Sequence, residues 1–87
     1  MESQVLSALA NPVRLKLIIC LSHGSKNVTE LIGSCGLSQS AVSQHLEKLR
    51  TAGLVTTNRG GKEIYYALKD KETAKVGLVL QNFLKEV

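Results

Sequence analysis

The sequence has 87 residues, with 11 Lys and Arg against 7 Asp and Glu, a formal charge of +4 and a pI near 9.3. That length allows one domain with a modest core, which burying further apolar surface by self-association would support. Hydrophobic residues at 44% exclude a disordered chain, and aromatics at 3% argue against the base-stacking surfaces of single-stranded RNA binders.

A first helix is predicted over about Ser3 to Ala10, with Val5, Leu6 and Leu9 on one stripe and Asn11-Pro12 ending it. Pro12 suits the first position of a second helix, where its missing N–H has no partner to lose. This helix runs to about Ser22, with Val13, Leu17, Ile18 and Leu21 inward, Arg14 and Lys16 pointing elsewhere, and Gly24 as its stop. A short third helix spans about Val28 to Cys35. Asn27 as its cap, with Glu30 three residues on, resembles a capping box. Gly36 can take the left-handed conformation of a tight interhelical turn, and Ser38 is a good N-cap for a fourth helix over about Gln39 to Ala52. Val42, Leu46 and Leu49 turn one face of that helix inward. The opposite face presents Gln39, Ser40, Ser43, Gln44, Glu47 and Lys48.

Two runs rich in β-branched and aromatic residues, Leu54 to Arg59 and Lys62 to Leu68, flank Gly60-Gly61, a two-residue hairpin signal. Asp70 caps a last helix whose apolar seam is Val76, Val79, Leu80, Phe83, Leu84 and Val87. The predicted fold is mainly α with a small β-hairpin (α+β), in the order ααααββα. That is a winged helix-turn-helix with one helix added at each end, a single domain over residues 1–87.

The chemistry of this arrangement points to duplex DNA. Leu31, Leu37 and Val42 lock the third and fourth helices together, leaving the outer face of the fourth free to enter a major groove about 12 Å wide. Ser38, Ser40 and Ser43 are short enough to permit close approach. Gln39 and Gln44 can present a donor and an acceptor together to a base edge, most naturally adenine. Lys48 and Arg50 lie further along, where phosphate contacts are expected. The hairpin tip Arg59-Gly60-Gly61-Lys62 sets two cations beside two glycines, suited to the minor groove or backbone. Charge agrees: Leu37 to Lys69 carries five basic residues against two acidic, whereas the flanking segments are near neutral.

Other classes find less support. The longest apolar run, Leu17 to Leu21, is far below the roughly 20 residues of a membrane span, and no secretory signal follows Met1, so a cytoplasmic protein is expected. Two cysteines do not make a disulfide framework. There is no GxSxG motif or phosphate loop, and Ser43 and His45 lie two apart on a helix, pointing to different sides, so no enzyme is expected. A winged-helix protein-interaction module and a non-specific architectural DNA binder remain as alternatives.

The stretches Leu9-Ala10-Asn11-Pro12-Val13-Arg14-Leu15, Leu37 to Leu46, Leu49-Arg50-Thr51-Ala52-Gly53-Leu54-Val55 and Tyr66-Ala67-Leu68 closely resemble the ArsR/SmtB family of repressors. The resemblance implies a homodimer joined through the first and last helices, a partly palindromic operator, and release by a metal ion or another chemical signal. It also places Gln39, Ser40, Ser43, Gln44 and His45 at recognition-helix positions and Arg59 to Lys62 on the wing. Two recognition helices about 34 Å apart also double the readout, which a lone module of this size needs.

The sequence departs from the family's best-known sensors. Where the arsenic, cadmium and lead sensors carry Cys-Val-Cys it has Asn27-Val28-Thr29, and its last helix has Asp70 and Glu72 but no histidine to complete a zinc site. No metal or other cofactor is therefore expected, and a site built on Cys20, His23 and Cys35 is the weaker reading. Cys20 matches a second-helix cysteine of the family's redox and persulfide sensors, whose partner cysteine on the last helix is missing here. Cys20 and Cys35 are thus the candidates for redox sensing, with Cys35 as substitute partner.

Overall fold

The computed structural model describes residues 2–86. Its elements are α1 (Glu2–Leu9), α2 (Pro12–Leu21), β1 (Lys26–Asn27), α3 (Val28–Cys35), α4 (Gln39–Thr51), β2 (Val55–Gly60), β3 (Glu63–Leu68) and α5 (Glu72–Glu86). The winged helix-turn-helix expectation holds, with one addition: β1 joins the hairpin in a three-stranded antiparallel sheet of order β1-β3-β2. Two residues carry too little pattern to read as a strand, and only the approach of Tyr65 and Tyr66 on β3 gives Lys26 and Asn27 a ladder to join.

Local signals account for the helix ends. The Asn11 side chain accepts from the Val13 and Arg14 backbone N–H groups at 2.9 and 3.0 Å, with Pro12 opening α2 behind it. Asn27 and Glu30 close a reciprocal capping box on α3, at 2.8 and 2.9 Å. The Asp70 side chain accepts from the Glu72 N–H at 2.9 Å where α5 begins.

Leu17, Ile18, Leu31, Val42, Leu46 and Leu49 form a fully buried centre shared by α2, α3 and α4, with Leu21 and Val55 beside it. α5 packs along α2 through Gly77, where a Cβ would stand 3.2 Å from the Ile18 side chain. A larger residue would hold the two helices apart.

One expectation about a helix face is corrected. Arg14 does not point away: it is buried, because α1 folds back over α2 and brings carbonyl groups that its guanidinium satisfies. On α1, Ala8 enters the core while Leu6 is 66% exposed. The apolar seam on α5 also faces outward in the single chain. Val76, Leu78, Val79, Phe83 and Leu84 are all exposed, Leu80 is half-buried, and Val87 lies outside the described residues.

Candidate nucleic-acid interface

The turn between α3 and α4 is built by three residues. Gly36 adopts φ 67°, ψ 30°, the left-handed conformation that costs an L side chain energy, and its N–H closes α3 on the Ile32 carbonyl at 2.9 Å. Leu37 tucks partly into the core, and the Ser38 hydroxyl caps α4 by accepting from the Ala41 N–H at 3.1 Å. α4 therefore leaves the turn in one direction, held below by Val42, Leu46 and Leu49.

Its outer face is the exposed row Gln39, Ser40, Ser43, Gln44, Glu47 and Lys48. Among the described residues, the side chains of Gln39, Ser40, Ser43, Gln44 and Lys48 make no hydrogen bond to the rest of the chain. Their amides, hydroxyls and ammonium are free for an external partner. An open groove of about 960 Å3 runs beside this row, bounded on its far side by Gln4, Ser7 and Ala8 of α1.

Two residues expected at the interface sit differently. His45 turns to the inner flank of α4, where its Nδ1 lies 3.2 Å from a terminal nitrogen of Arg14. Burial, and then the Arg14 charge, hold its pKa below the usual 6.5, so the ring is neutral and accepts the guanidinium N–H. The same Arg14 donates from Nε to the Ala8 carbonyl at 2.8 Å and from its other terminal nitrogen to the Ser7 carbonyl at 3.0 Å. One buried cation thus ties the C-terminal end of α1 to the inner side of α4, and these carbonyls are the negative end of the α1 dipole. Nothing in a helical wheel of α2 could have found this, because both partners lie on other helices.

Arg50, expected to meet phosphate, is paired with Glu47 on its own helix at 2.6 and 3.1 Å. Hydrogen bonding from Arg50 lowers the Glu47 pKa, so the pair stays ionised and adds no net charge to the face. The spacing of an acid three residues before a base was a legible signal for this pair.

The wing lies beside this unit. β2 and β3 pair from Val55↔Leu68 out to Gly60↔Glu63, so the turn falls at Gly61-Lys62, one residue later than Gly60-Gly61. Gly61 supplies the positive φ (65°) that the first loop position takes, while Gly60 ends the strand under the Tyr65 ring, which stands 3.0 Å from where a Cβ would be. Arg59, Gly60, Gly61 and Lys62 are all exposed at the tip. The added strand β1 fixes where the wing points: Asn27 pairs with Tyr65 and, with its side chain, caps α3.

The two cysteines meet. Cys20 on α2 and Cys35 at the end of α3 place their sulfurs 3.1 Å apart as free thiols. Burial, followed by the hydrogen bond with Cys20, pushes the Cys35 thiol up to about 12. Among the described residues no three His, Cys, Asp or Glu side chains converge, so exposed His23 does not join the pair. Asn27 is engaged in capping α3, and the Asp70 carboxylate accepts from the Glu72 backbone.

Comparison with known proteins agrees with this geometry. Residues 11–57 match the family model described as "Bacterial regulatory protein, arsR family". The chain is 40% identical over 75 residues to the HTH-type transcriptional repressor SmtB of Mycobacterium tuberculosis, covering 86% of this chain and 56% of that protein. It therefore spans little more than half the length of that relative. Among solved structures, the transcriptional repressor BigR of Xylella fastidiosa superposes with a TM-score of 0.81 at 36% identity, over 93% of this chain and 83% of that one. A homodimeric winged helix-turn-helix DNA-binding domain, Mb0332 of Mycobacterium bovis, superposes with a TM-score of 0.81 at 28% identity, covering 97% and 78%.

Proposed function

The chain belongs to the arsR family of bacterial regulatory proteins, and on that premise we propose that it is a DNA-binding transcriptional repressor acting in the cytoplasm as a homodimer. One observation carries the reading: the exposed polar row of α4, unbonded within the chain, on a helix whose other face is anchored in the core. Entering the major groove, Gln39 and Gln44 read base edges, Ser40 and Ser43 let the helix come close, and Lys48 meets phosphate. Ser38 keeps α4 capped at the point nearest the backbone. Arg59, Gly60, Gly61 and Lys62 approach the neighbouring minor groove or backbone. His45 and Arg50 hold α4 in shape and do not touch bases, each being engaged by a partner inside the chain. No catalytic step is assigned, since Ser43 faces out while His45 faces Arg14.

The dimer would form through α1 and α5. Leu6 on α1 and Val76, Val79, Phe83 and Leu84 on α5 leave large apolar side chains exposed on these helices, a surface suited to a twofold copy. Such pairing would set two α4 helices about one DNA turn, roughly 34 Å, apart. Among the described residues no helix is long and apolar enough to cross a membrane.

The test is equilibrium binding to labelled duplexes selected from a random library, at fixed salt, compared with random duplex. Specific sites should bind at least ~10³-fold tighter than random sequence. Ser43→Glu, which sets a carboxylate against the phosphates, should abolish that binding without unfolding the protein. Equal affinity for selected and random duplex would refute sequence-specific repression and leave an architectural binder. Undiminished binding by Ser43→Glu would remove α4 from the interface.

A further inference from the structure

We propose that Arg14 and His45 are positioning residues for DNA reading: the Arg14 guanidinium, fixed by carbonyls of α1, holds the His45 ring and thereby sets the roll of α4 about its own axis. This role rests on the proposed DNA-binding function and adds how the reading row is aimed. Among the described residues, the Arg14–His45 contact at 3.2 Å is the one hydrogen bond joining α4 to another helix. The rest of its attachment to α2 and α3 is aliphatic, through Val42, Leu46 and Leu49. Apolar burial is non-directional, and aliphatic cores lose a unique arrangement before they lose stability. A hydrogen bond weakens steeply as its angle departs from linear.

The guanidinium gives that contact its direction because its own orientation is already fixed. Nε donates to the Ala8 carbonyl at 2.8 Å and one terminal nitrogen donates to the Ser7 carbonyl at 3.0 Å, so the planar fork determines where the other terminal nitrogen points. Arginine has no acceptor, so His45 Nδ1 accepts and the ring proton sits on Nε2. One side chain, carried by α2 and only 9% exposed, therefore joins three helices. At the α1 end the held carbonyls adjoin Leu6, an exposed member of the proposed dimer surface. Ser7 and Ala8 also wall the groove beside the reading row, so the same bonds fix its width. At the α4 end His45 adjoins Gln44 of that row. Bonded and packed groups thus run from the surface offered to a second copy to a base-reading amide.

Helix dimensions set the size of the effect. Side-chain ends lie roughly 6 Å from an α-helix axis, so a roll of ~10° moves them by about 1 Å. Hydrogen bonds occupy a window of only about 2.7–3.2 Å, so a shift of that size breaks a base-edge contact by Gln39 or Gln44. Lys48, an ammonium on a flexible stem, follows its phosphate through the same shift. Loosening the joint therefore costs sequence preference and spares affinity for DNA at large.

The experiment measures affinity for one selected and one random duplex at fixed salt. It compares the native chain with His45→Leu, His45→Asn and Arg14→Lys, each shown by circular dichroism to be folded at the assay temperature. His45→Leu keeps an apolar side chain but offers no acceptor. Its preference for the selected duplex should fall about tenfold, while random-duplex affinity stays within about twofold of native. His45→Asn, whose Oδ1 takes the place of Nδ1, should keep the native preference within about threefold. Arg14→Lys should behave like His45→Leu, because an ammonium cannot hold two carbonyls and the ring together. A purely structural role lowers both affinities in step and leaves their ratio unchanged; that result, or a native ratio in His45→Leu, overturns the proposal. So does a changed base preference at one operator position, which would make His45 a direct contact. Amide hydrogen exchange without DNA is the second arm: in His45→Leu the α4 amides should exchange about threefold faster or more, with the β2–β3 hairpin unchanged. Faster exchange throughout the chain, or none in α4, would also overturn it. If the native protein shows no preference for the selected duplex, the DNA-binding reading fails, while exchange still decides whether the joint holds α4.

Discussion

Replacing Arg14 tests the joint between α1 and α4 directly. Arg14→Met keeps the aliphatic stem in its packing but removes the guanidinium, and with it the bonds to the Ala8 carbonyl, the Ser7 carbonyl and His45 at 2.8, 3.0 and 3.2 Å. Hydrogen bonds involving a charged group contribute about 1.5–3 kcal/mol each. The three are not worth their sum. Ser7 keeps a second, longer bond from the Ala10 N–H at 3.3 Å, and removing a buried cation returns its desolvation cost. The Ala8 carbonyl, on a residue only 4% exposed, loses its side-chain donor outright. A net loss of about 3 kcal/mol is expected, a large fraction of the 5–15 kcal/mol typical of a small domain. In thermal unfolding that corresponds to a fall of roughly 12–24 °C at this chain length. Urea unfolding at one fixed protomer concentration measures it, because dimerisation would otherwise move the midpoint. Arg14→Lys should recover less than half of the loss, since a compact ammonium cannot reach two carbonyls and an imidazole at once. A Met variant within about 1 kcal/mol of the native protein, or a Lys variant equal to it, would refute the reasoning.

Three further outcomes follow from the geometry. Arg59→Ala should weaken binding to all duplexes alike and flatten the salt dependence by about one unit, read as the slope of log affinity against log salt; a change in sequence preference alone would displace Arg59 from the wing contact. Val79→Asp or Phe83→Asp places a charge on residues 67% and 63% exposed, so the single chain should stay folded while sedimentation shows monomer at concentrations where the native chain is dimeric. His45 sets a pH dependence. Its folded pKa lies below 6.5, so on acidification the unfolded chain takes up a proton first, and stability should fall as pH drops through 6.5 toward the folded value. His45→Asn should lose that segment of the curve in a melting series, and Arg14→Met should keep part of it, because burial is the larger cause.

The helix-turn-helix was legible because each of its signals is local. Asn27 and Glu30 are three residues apart, Gly36 needs only its own backbone freedom, and Ser38 reaches its partner Ala41 within one turn. The spacing of Val42, Leu46 and Leu49 names the buried face of α4, and the polar row opposite follows from the same period. The hairpin was equally visible apart from its exact tip. That shifted by one residue because Tyr65 lies over Gly60, a cross-strand contact that composition alone does not reveal.

From its own order of residues this chain determines its five helices and their caps, the two strands of the hairpin, and which polar face α4 keeps. Those choices depend mainly on neighbours within about one helical turn, through propensity and capping that act locally. The tertiary structure alone decided that Arg14 is buried, that His45 turns inward to meet it, that Lys26 and Asn27 form a strand, and that Cys20 stands against Cys35. Each of these joins groups on separate elements. A buried cation, an added strand edge or a thiol pair is satisfied only by what packing brings to it, and no periodicity within one segment carries that partner's position.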